Sequence, residues 1–469
     1  MSMFGLDPTS ATLLIFCLLL VCAFEFINGF HDTANAVATV IYTNSLKPWM
    51  AVVLSGILNS AGVLLGGIAV AMGITNLLPV EVLTDANIHH NMALILSLLL
   101  TAIAWNLGTW YLGIPASSSH TLIGSILGVG LAYSFIAPDQ SISYVNWKKA
   151  SEIGLSLLLS PFLGFSLAVM LMYLMKQVIK NKQIFKEPIP GNKPPLWIRA
   201  ILILTCSGVS FAHGSNDGQK GVGLMMLILI AIVPGYFALN HQVNVNDYKS
   251  EITSINLTLD KVDITQLDKA DSIQYGKTRE LISDLNTKIA SVNAFSDLSS
   301  DEQFAVRKNI IQIGKASKSL LESEDLNLSS KDKNSFKKDI DKLSGVTQYA
   351  PLWVFGLIAL SLGLGTMIGW KRIVKTIGEK IGKQNLTYAQ GASSEIVAAT
   401  TIGLSTALGL PVSTTQVLSS GIAGSMVASK GIKNLQKKTI RNIFIAWLLT
   451  LPVTILMSGG LFLLFRSIL

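Results

Sequence analysis

Long apolar runs alternate with short polar segments along almost the whole chain. The runs lie at 11–42, 49–74, 92–137, 152–175, 197–238, 351–370, 387–429 and 441–465. A helix needs about 20 apolar residues to cross a hydrocarbon core of about 30 Å, so the pattern predicts an all-α polytopic membrane protein. The run at 92–137 is long enough for a helical hairpin, because its 46 residues would extend about 69 Å as a helix.

Composition supports this interpretation. Only 14% of the residues are charged, against about 25% in soluble domains. The net charge of +8 comes from short blocks of Lys and Arg between the apolar runs, which is typical of cytoplasmic loops and not of nucleic-acid binding. The three cysteines lie in apolar runs without metal-ligand spacing, which supports neither a disulfide framework nor a zinc site. We expect no permanent metal site and no cofactor.

The basic blocks also orient the chain, because cytoplasmic loops are enriched in Lys and Arg. With the blocks inside, the second half makes the same crossings as the first half in the opposite sense, as in inverted-repeat transporters. The predicted segments are a first transmembrane repeat at 1–175, a basic cytoplasmic linker at 176–196, the start of a second repeat at 197–239, a soluble helical extracytoplasmic insert at 240–350, and the remainder of the second repeat at 351–469.

Two polar clusters interrupt the apolar runs. Gly29–Ala36 aligns with Gly214–Gly221 at an offset of 185, which pairs Asp32 with Asp217 and Asn35 with Lys220. A charge at bilayer depth costs roughly 2.5–3.5 kcal/mol, so an intramembrane carboxylate usually has a function. The repetition predicts one site built from two halves of a duplicated chain.

A second motif is repeated as well. Gly113–His120 matches Gly409–Gln416 at an offset of 296, and both copies contain a proline followed by three hydroxyl residues. Glycine and proline end one helix, which places the hydroxyls at the N-terminus of the next, where the helix dipole favours an anion. A pair of ordinary helix caps is the alternative. The matched copies predict two hairpins that cradle a small oxyanion.

The carboxylates need a separate explanation because they repel an anion. Asp32 and Asp217 suit a cation: a coupling proton, Na⁺, or the metal of a metal–anion complex. The neighbouring glycines would let the helices unwind there. Lys220 would neutralise Asp217, contact the anion or take the place of a cation, and Asn35 and Asn216 would supply amide ligands.

Further titratable groups lie in the apolar runs. Glu25 and Glu395 are candidates for proton handling. His31 and His213 precede the two clusters, and a lone histidine in such a position is more often a packed residue than a ligand. His120 follows the hydroxyls of the first hairpin, where it would reach the anion or cap the hairpin.

Together the motifs resemble the inorganic phosphate transporter (Pit) family, most of all its bacterial low-affinity branch. The resemblance is carried by Phe26–Ala36, His213–Gly221 and the paired Pro-x-Ser-Ser/Thr hairpins. It implies inverted-topology repeats with two re-entrant hairpins and broken helices, a homodimer, and multi-pass insertion in the bacterial inner membrane. It also implies a symporter that takes a neutral divalent metal–hydrogenphosphate complex together with protons.

The resemblance further implies site residues. Phosphate would contact Asp32, Ser117, Ser118, Ser119, Asp217, Ser413, Thr414 and Thr415, and the coupling cation would involve Asn35, Asn216 and Asp217. Sodium-coupled members resemble Asn-Asp-x-Ala-Asn-Ala in both halves, whereas the second half here ends Gly218-Gln219-Lys220-Gly221. This departure favours protons, although Asn35 leaves one Na⁺ site open.

The sequence therefore predicts a proton-coupled importer of phosphate with a co-transported divalent metal. A sodium-coupled phosphate or sulfate carrier is the alternative within transport. A channel is a further alternative, because the paired helix N-termini with their dipoles would be enough to attract an anion. An intramembrane hydrolase could use Asp, His and Ser, but the Gly-x-Ser-x-Gly and His-Glu-x-x-His patterns are absent from the sequence, which argues against an enzyme.

Overall fold

The computed structural model describes residues 3–79, 82, 88–136, 144–189, 191–323 and 325–468, with the side chains of 3, 33–35 and 88 outside the description. Within these ranges the regular elements are helices, apart from an isolated bridge between Gly382 and Leu435. The prediction of an all-α protein is confirmed.

The helices are named in chain order. In the first half they are α1 (Pro8–Tyr42), α2 (Pro48–Leu65), α3 (Ala69–Thr75), α4 (Ile88–Tyr111), α5 (Ser118–Ile136) and α6 (Trp147–Val178). They continue with α7 (Leu196–Ile232), α8 (Val245–Leu259), α9 (Lys269–Ile289), α10 (Ser300–Glu322) and α11 (Ser330–Gly345). The last five are α12 (Leu352–Thr366), α13 (Lys371–Glu379), α14 (Tyr388–Ala407), α15 (Thr414–Lys430) and α16 (Lys437–Ile468).

Seven of the described helices are long and apolar enough to cross a membrane: α1, α2, α4, α5, α6, α7 and α16. The pair α12 and α13 would make an eighth crossing, bent by 62° at a short break. Their length and composition are those of a multi-pass membrane protein.

The chain divides into two compact units. One contains the chain up to Leu6 together with Leu229–Tyr349, and the other contains Asp7–Ile228 and Ala350–Leu469. In the first unit, α8 to α11 enclose an apolar core that includes Tyr248, Phe295 and Phe336. Arg307 is buried there and donates to the carbonyl oxygens of Ala238 (2.8 Å) and Thr347 (3.0 Å), which joins the two ends of this unit.

In the other unit the order and pairing of helices repeat. Helix α5 packs along α16, and its counterpart α15 packs along α6. Four glycines make equivalent close approaches: Gly29 to the backbone of α12, Gly365 to the backbone of α1, Gly62 to the backbone of α7, and Gly214 to the backbone of α2. A Cβ atom at any of them would come closer than 3.0 Å to a backbone carbonyl oxygen. The two halves therefore use matched glycines for the same helix contacts.

This packing corrects one expectation. The glycines of the polar clusters were expected to let the helices unwind, but α1 and α7 remain helical through both clusters. Gly29 and Gly214 serve the close approach of a neighbouring helix instead. Without unwinding, the backbone carbonyls of both clusters accept intrahelical hydrogen bonds, so the geometry favours side chains as ligands there.

The two hairpins form as the sequence predicts. Helix α4 ends before Gly113 (φ +66°), and α14 ends before Gly409 (φ +68°), both in the left-handed conformation that favours glycine. Two residues later come the prolines. The Pro115 carbonyl accepts a hydrogen bond from Trp447 on α16 (3.0 Å), and the Pro411 carbonyl accepts one from Ser156 on α6 (3.3 Å). Both turns are thus held by counterpart helices.

Candidate functional site: a buried cradle of hydroxyls and carboxylates

The two cluster carboxylates lie beside the same hydroxyl group. Asp32 on α1 and Asp217 on α7 are buried, with 2% and 0% of their surfaces exposed. The Ser118 hydroxyl donates to Asp32 Oδ2 at 2.8 Å and lies 3.5 Å from Asp217 Oδ2. The helices that carry the two clusters and the start of the first hairpin's second helix therefore meet at one point. We use the name cradle for the buried side chains that meet here, namely Asp32, Asp217, Lys220, Ser118, Ser119, Thr414 and Thr415.

The second hairpin reaches the same point. Thr415 Oγ1 donates to Asp32 Oδ1 at 2.5 Å, and Thr414 Oγ1 lies 3.4 Å from Asp217 Oδ2. Ser119 of the first hairpin donates to the Val412 carbonyl of the second at 2.7 Å. The hydroxyls of both hairpins and the carboxylates of both clusters thus form one buried network, which is the arrangement that the duplicated motifs indicate.

Ser117 and Ser413 face the hairpin backbone instead. The Ser117 hydroxyl accepts from the His120 N–H (3.2 Å), and the Ser413 hydroxyl accepts from the Gln416 N–H (3.2 Å). His120 Nδ1 also lies 2.7 Å from the Ser117 hydroxyl. In this structure these two serines are helix caps, and His120 supports the first of them.

Lys220 points into the cradle. Its ammonium nitrogen lies 2.6 Å from Asp217 Oδ1, 2.5 Å from Ser119 Oγ and 3.1 Å from the Val412 carbonyl oxygen. The side chain is buried, with 1% of the residue exposed. Of the three roles that the sequence left open, neutralisation of Asp217 is the one that this geometry shows directly.

The cradle contains two buried carboxylates and one buried ammonium. Counted with both carboxylates ionised and the histidines neutral, these groups carry a formal charge of −1. Coulomb interactions are strong at short range in such surroundings. An unaccompanied phosphate anion would therefore meet repulsion, whereas a cation or a neutral complex would not.

Two histidines flank the carboxylates. His31 Nδ1 lies 3.0 Å from Asp32 Oδ1, and His213 Nε2 lies 3.5 Å from Asp217 Oδ2. One ligand atom each from Asp32, His213 and Asp217 come together within 4.8 Å of one another. Carboxylate oxygens with an imidazole nitrogen form a donor set that suits a divalent metal. From the sequence these histidines were expected to be packed residues, whereas the structure places His31 beside Asp32 and His213 beside Asp217.

The outer partners of the histidines were missed from the sequence. His31 Nε2 lies 3.2 Å from the Thr109 hydroxyl on α4. His213 Nδ1 lies 3.0 Å from Asn59 Oδ1 on α2, and the amide of Asn59 donates to Thr366 at 2.8 Å. The only available signal was an amide or hydroxyl inside an apolar run, which is common in membrane helices.

Asn216, one of the two amides expected as cation ligands, contacts the second hairpin. Asn216 donates to Thr406 (3.0 Å) and to the Leu410 carbonyl (3.2 Å), and its oxygen accepts from the Val412 N–H (3.3 Å). Both of its amide atoms thus hold the second hairpin. The side chain of Asn35 lies outside the described residues.

The two glutamates lie away from the cradle's hydrogen bonds. Glu25 is fully buried, accepts from Asn28 at 3.3 Å and packs where Gly221 leaves room for it. Glu395 on α14 is fully buried and accepts from the hydroxyls of Thr39 on α1 and Thr205 on α7. In the described part of the chain, no Lys or Arg forms an ion pair with either carboxylate.

Comparison with known proteins identifies the family. Residues 28–458 match the model of the "Phosphate transporter family". The chain belongs to this family. It is 42% identical to the low-affinity inorganic phosphate transporter of Buchnera aphidicola subsp. Acyrthosiphon pisum over 98% of each chain. It is 40% identical to the low-affinity inorganic phosphate transporter PitA of Escherichia coli strain K12, over 98% of this chain and 97% of PitA.

A solved structure is similar as well. The sodium-dependent phosphate transporter superposes with a TM-score of 0.56 at 20% identity, covering 98% of this chain and all of that one. At 20% sequence identity, this similarity shows that the two proteins share a fold. The predicted family is confirmed: the chain is an inorganic phosphate transporter and a multi-pass membrane protein, and its relatives are named as transporters.

Proposed function

We propose that this transporter imports inorganic phosphate as a neutral divalent metal–hydrogenphosphate complex, coupled to protons, across the bacterial inner membrane. The observation that carries the proposal is the cradle itself. Ser118 lies between two buried carboxylates, and the Thr414 and Thr415 hydroxyls of the second hairpin contact the same carboxylates. The N-termini of α5 and α15 and their hydroxyls suit the anion, while Asp32 and Asp217 suit its metal.

Charge favours the complex over free phosphate. With both carboxylates ionised and the histidines neutral, the cradle carries a formal charge of −1, so a phosphate dianion entering alone would be opposed by like charge. A metal ion bound between phosphate and the carboxylates removes that repulsion. Asp32, His213 and Asp217 have the donor atoms and the spacing for such an ion, which would be cargo and leave with the phosphate.

Glu25 and Glu395 are our candidates for the coupling protons. Each is fully buried, and a carboxylate buried without a cation is costly in its charged form. The hydrogen bonds from Thr39 and Thr205 join Glu395 to helices of both repeats. Rocking of the repeats in alternating access would therefore change its surroundings, which is what a proton carrier requires.

The remaining assignments complete the proposal. Ser117, Ser118, Ser119, Ser413, Thr414, Thr415 and Lys220 line or support the phosphate position, and Asn35 and Asn216 remain predicted amide ligands for a coupling cation. We propose a homodimer in the lipid bilayer, with the insert at 240–350 on the extracytoplasmic side. Nothing covalent happens to phosphate in this mechanism.

Uptake of radioactive phosphate by reconstituted vesicles tests the proposal. We expect accumulation driven by an acidic exterior, stimulated by Mg²⁺ and unchanged by a Na⁺ gradient. Asp32→Asn and Asp217→Asn should reduce uptake to the level of empty vesicles, whereas Asp301→Asn, an exposed change in the unit containing α8 to α11, should not.

Other outcomes would select the alternatives. Uptake that requires Na⁺ and ignores pH would replace proton with sodium coupling. Equal competition by sulfate would make the carrier one of oxyanions in general. Normal transport in both aspartate variants would overturn the site, and flux that only equilibrates phosphate would indicate a channel.

A further inference from the structure

The Lys220 ammonium occupies a position that resembles a cation site. Its three near neighbours are a carboxylate oxygen of Asp217, the hydroxyl of Ser119 and the carbonyl oxygen of Val412. They come from α7, the first hairpin and the second hairpin, and all are buried. Carboxylate, hydroxyl and carbonyl oxygens are the donors that hard metal cations prefer.

The internal repeat provides a matched comparison within the same molecule. In the alignment with an offset of 185, Asp217 is equivalent to Asp32 and Lys220 to Asn35. In the alignment with an offset of 296, the residues of the second hairpin are equivalent to those of the first. The contact between Ser118 and Asp32 (2.8 Å) is thus the counterpart of the contact between Thr414 and Asp217 (3.4 Å). The internal repeat therefore extends to these side-chain contacts.

One contact breaks this symmetry. Thr415 is the counterpart of Ser119, and it donates directly to Asp32 at 2.5 Å. In the other half, the Lys220 nitrogen lies between Ser119 (2.5 Å) and Asp217 (2.6 Å). The halves therefore differ by a cation inserted between the hydroxyl and the carboxylate.

We infer that Lys220 is a tethered cation that permanently fills one of two pseudo-symmetric cation positions in the cradle, and so fixes how many cations accompany each phosphate. Because the ammonium cannot leave, Asp217 is neutralised throughout the transport cycle. Asp32 then remains the cradle carboxylate without a tethered counter-charge. The inference rests on the proposed function, since it counts the ions that this function moves.

A direct contact with phosphate is the rival role for Lys220. An ammonium has three N–H donors and no acceptor. Three oxygens already lie within 3.1 Å of the nitrogen, so binding phosphate would require it to give up one of them. The geometry therefore favours a filled cation position over an anion-binding group.

The test removes the ammonium and counts charge. Lys220→Asn recreates the residue of the first half, and the reversal potential of phosphate transport in vesicles gives the charge moved per phosphate. We expect one additional positive charge per phosphate in this variant relative to the wild type, with uptake newly stimulated by Na⁺. The matched control is Lys149→Asn, which removes a lysine paired with Glu152 outside the cradle and should leave the charge unchanged.

A second variant and a binding measurement guard against misfolding. Lys220→Met removes the charge without supplying an amide. If a cation position is vacated, Na⁺ or Mg²⁺ should raise the melting temperature of both variants more than choline does, with the larger rise in Lys220→Asn. The melting temperature of the wild type should respond less.

Two results would overturn the inference. The first is a folded Lys220→Asn protein with the wild-type charge per phosphate and no cation-specific stabilisation. The second is failure of both variants to fold in any of these salts, because a true cation position would be refilled from solution. The inference concerns the difference in charge per phosphate between Lys220→Asn and the wild type. If the wild type proves to be driven by sodium, proton coupling is wrong, but this difference can still be measured.

Discussion

The two halves of the cradle make equivalent contacts but differ in their charged groups. Both place an aspartate beside a hairpin hydroxyl, with Asp32 next to Ser118 and Asp217 next to Thr414. Asp32 is bonded by two hydroxyls, whereas Asp217 is paired with Lys220. A duplicated fold thus fixes where the groups lie, and a single substitution is enough to give the two positions different charges.

The largest expected effect is a loss of stability on changing the glycines at which both halves make equivalent helix contacts. Gly29→Ala and Gly214→Ala should each destabilise the protein by about 3 kcal/mol, at the upper end of the usual cost of overpacking, because the new Cβ would overlap the backbone of a neighbouring helix. Thermal unfolding in detergent would measure this. Gly154→Ala, with open space around it, is the control, and a tolerated change at either buried glycine would contradict the equivalence of the helix contacts.

A second comparison tests the hydroxyls. Ser118→Ala removes a hydrogen bond to a carboxylate at 2.8 Å, worth about 1.5–3 kcal/mol for a charged partner, so transport efficiency should fall roughly 10- to 100-fold. Thr414→Ala removes a contact of 3.4 Å and should cost less than about tenfold. Initial rates of phosphate uptake over a range of concentrations give both values. Equal losses would show that the halves bind phosphate symmetrically.

The glutamates extend the comparison beyond the cradle. Glu25→Gln and Glu395→Gln keep the shape of the side chain but cannot exchange a proton. We expect uptake in either variant to lose most of its response to a pH gradient, while exchange of external for internal phosphate continues. If only Glu395→Gln loses the response, then proton coupling belongs to the carboxylate that Thr39 and Thr205 contact.

The smallest expected effect concerns the histidines. His31 contacts Asp32 at 3.0 Å, and His213 contacts Asp217 at 3.5 Å. His31→Gln should therefore raise the phosphate concentration for half-maximal uptake by a larger factor than His213→Gln, both within about tenfold. A larger effect of His213→Gln would indicate that this imidazole binds the metal directly.

Much of the architecture follows from local rules that the sequence displays. The apolar runs predict the membrane helices, and Gly113 with Pro115 predicts the end of α4 because both residues oppose helix continuation. The same rule applies at Gly409. The failure concerns Gly29 and Gly214, which were expected to unwind their helices. A glycine permits unwinding and close packing equally, and only the helix packed against it decides between them.

The sequence by itself determined the duplication, the pairing of Asp32 with Asp217 and of the two hydroxyl motifs, and the substitution of Lys220 for Asn35. All of these follow from aligning the sequence with itself, which depends only on the order of the residues. The tertiary structure alone decided which groups touch: that Ser118 lies between both carboxylates, that Lys220 fills a position between Ser119 and Asp217, and that Thr39 and Thr205 reach Glu395. Contacts between residues far apart in the chain depend on how helices pack, and no local pattern specifies that packing.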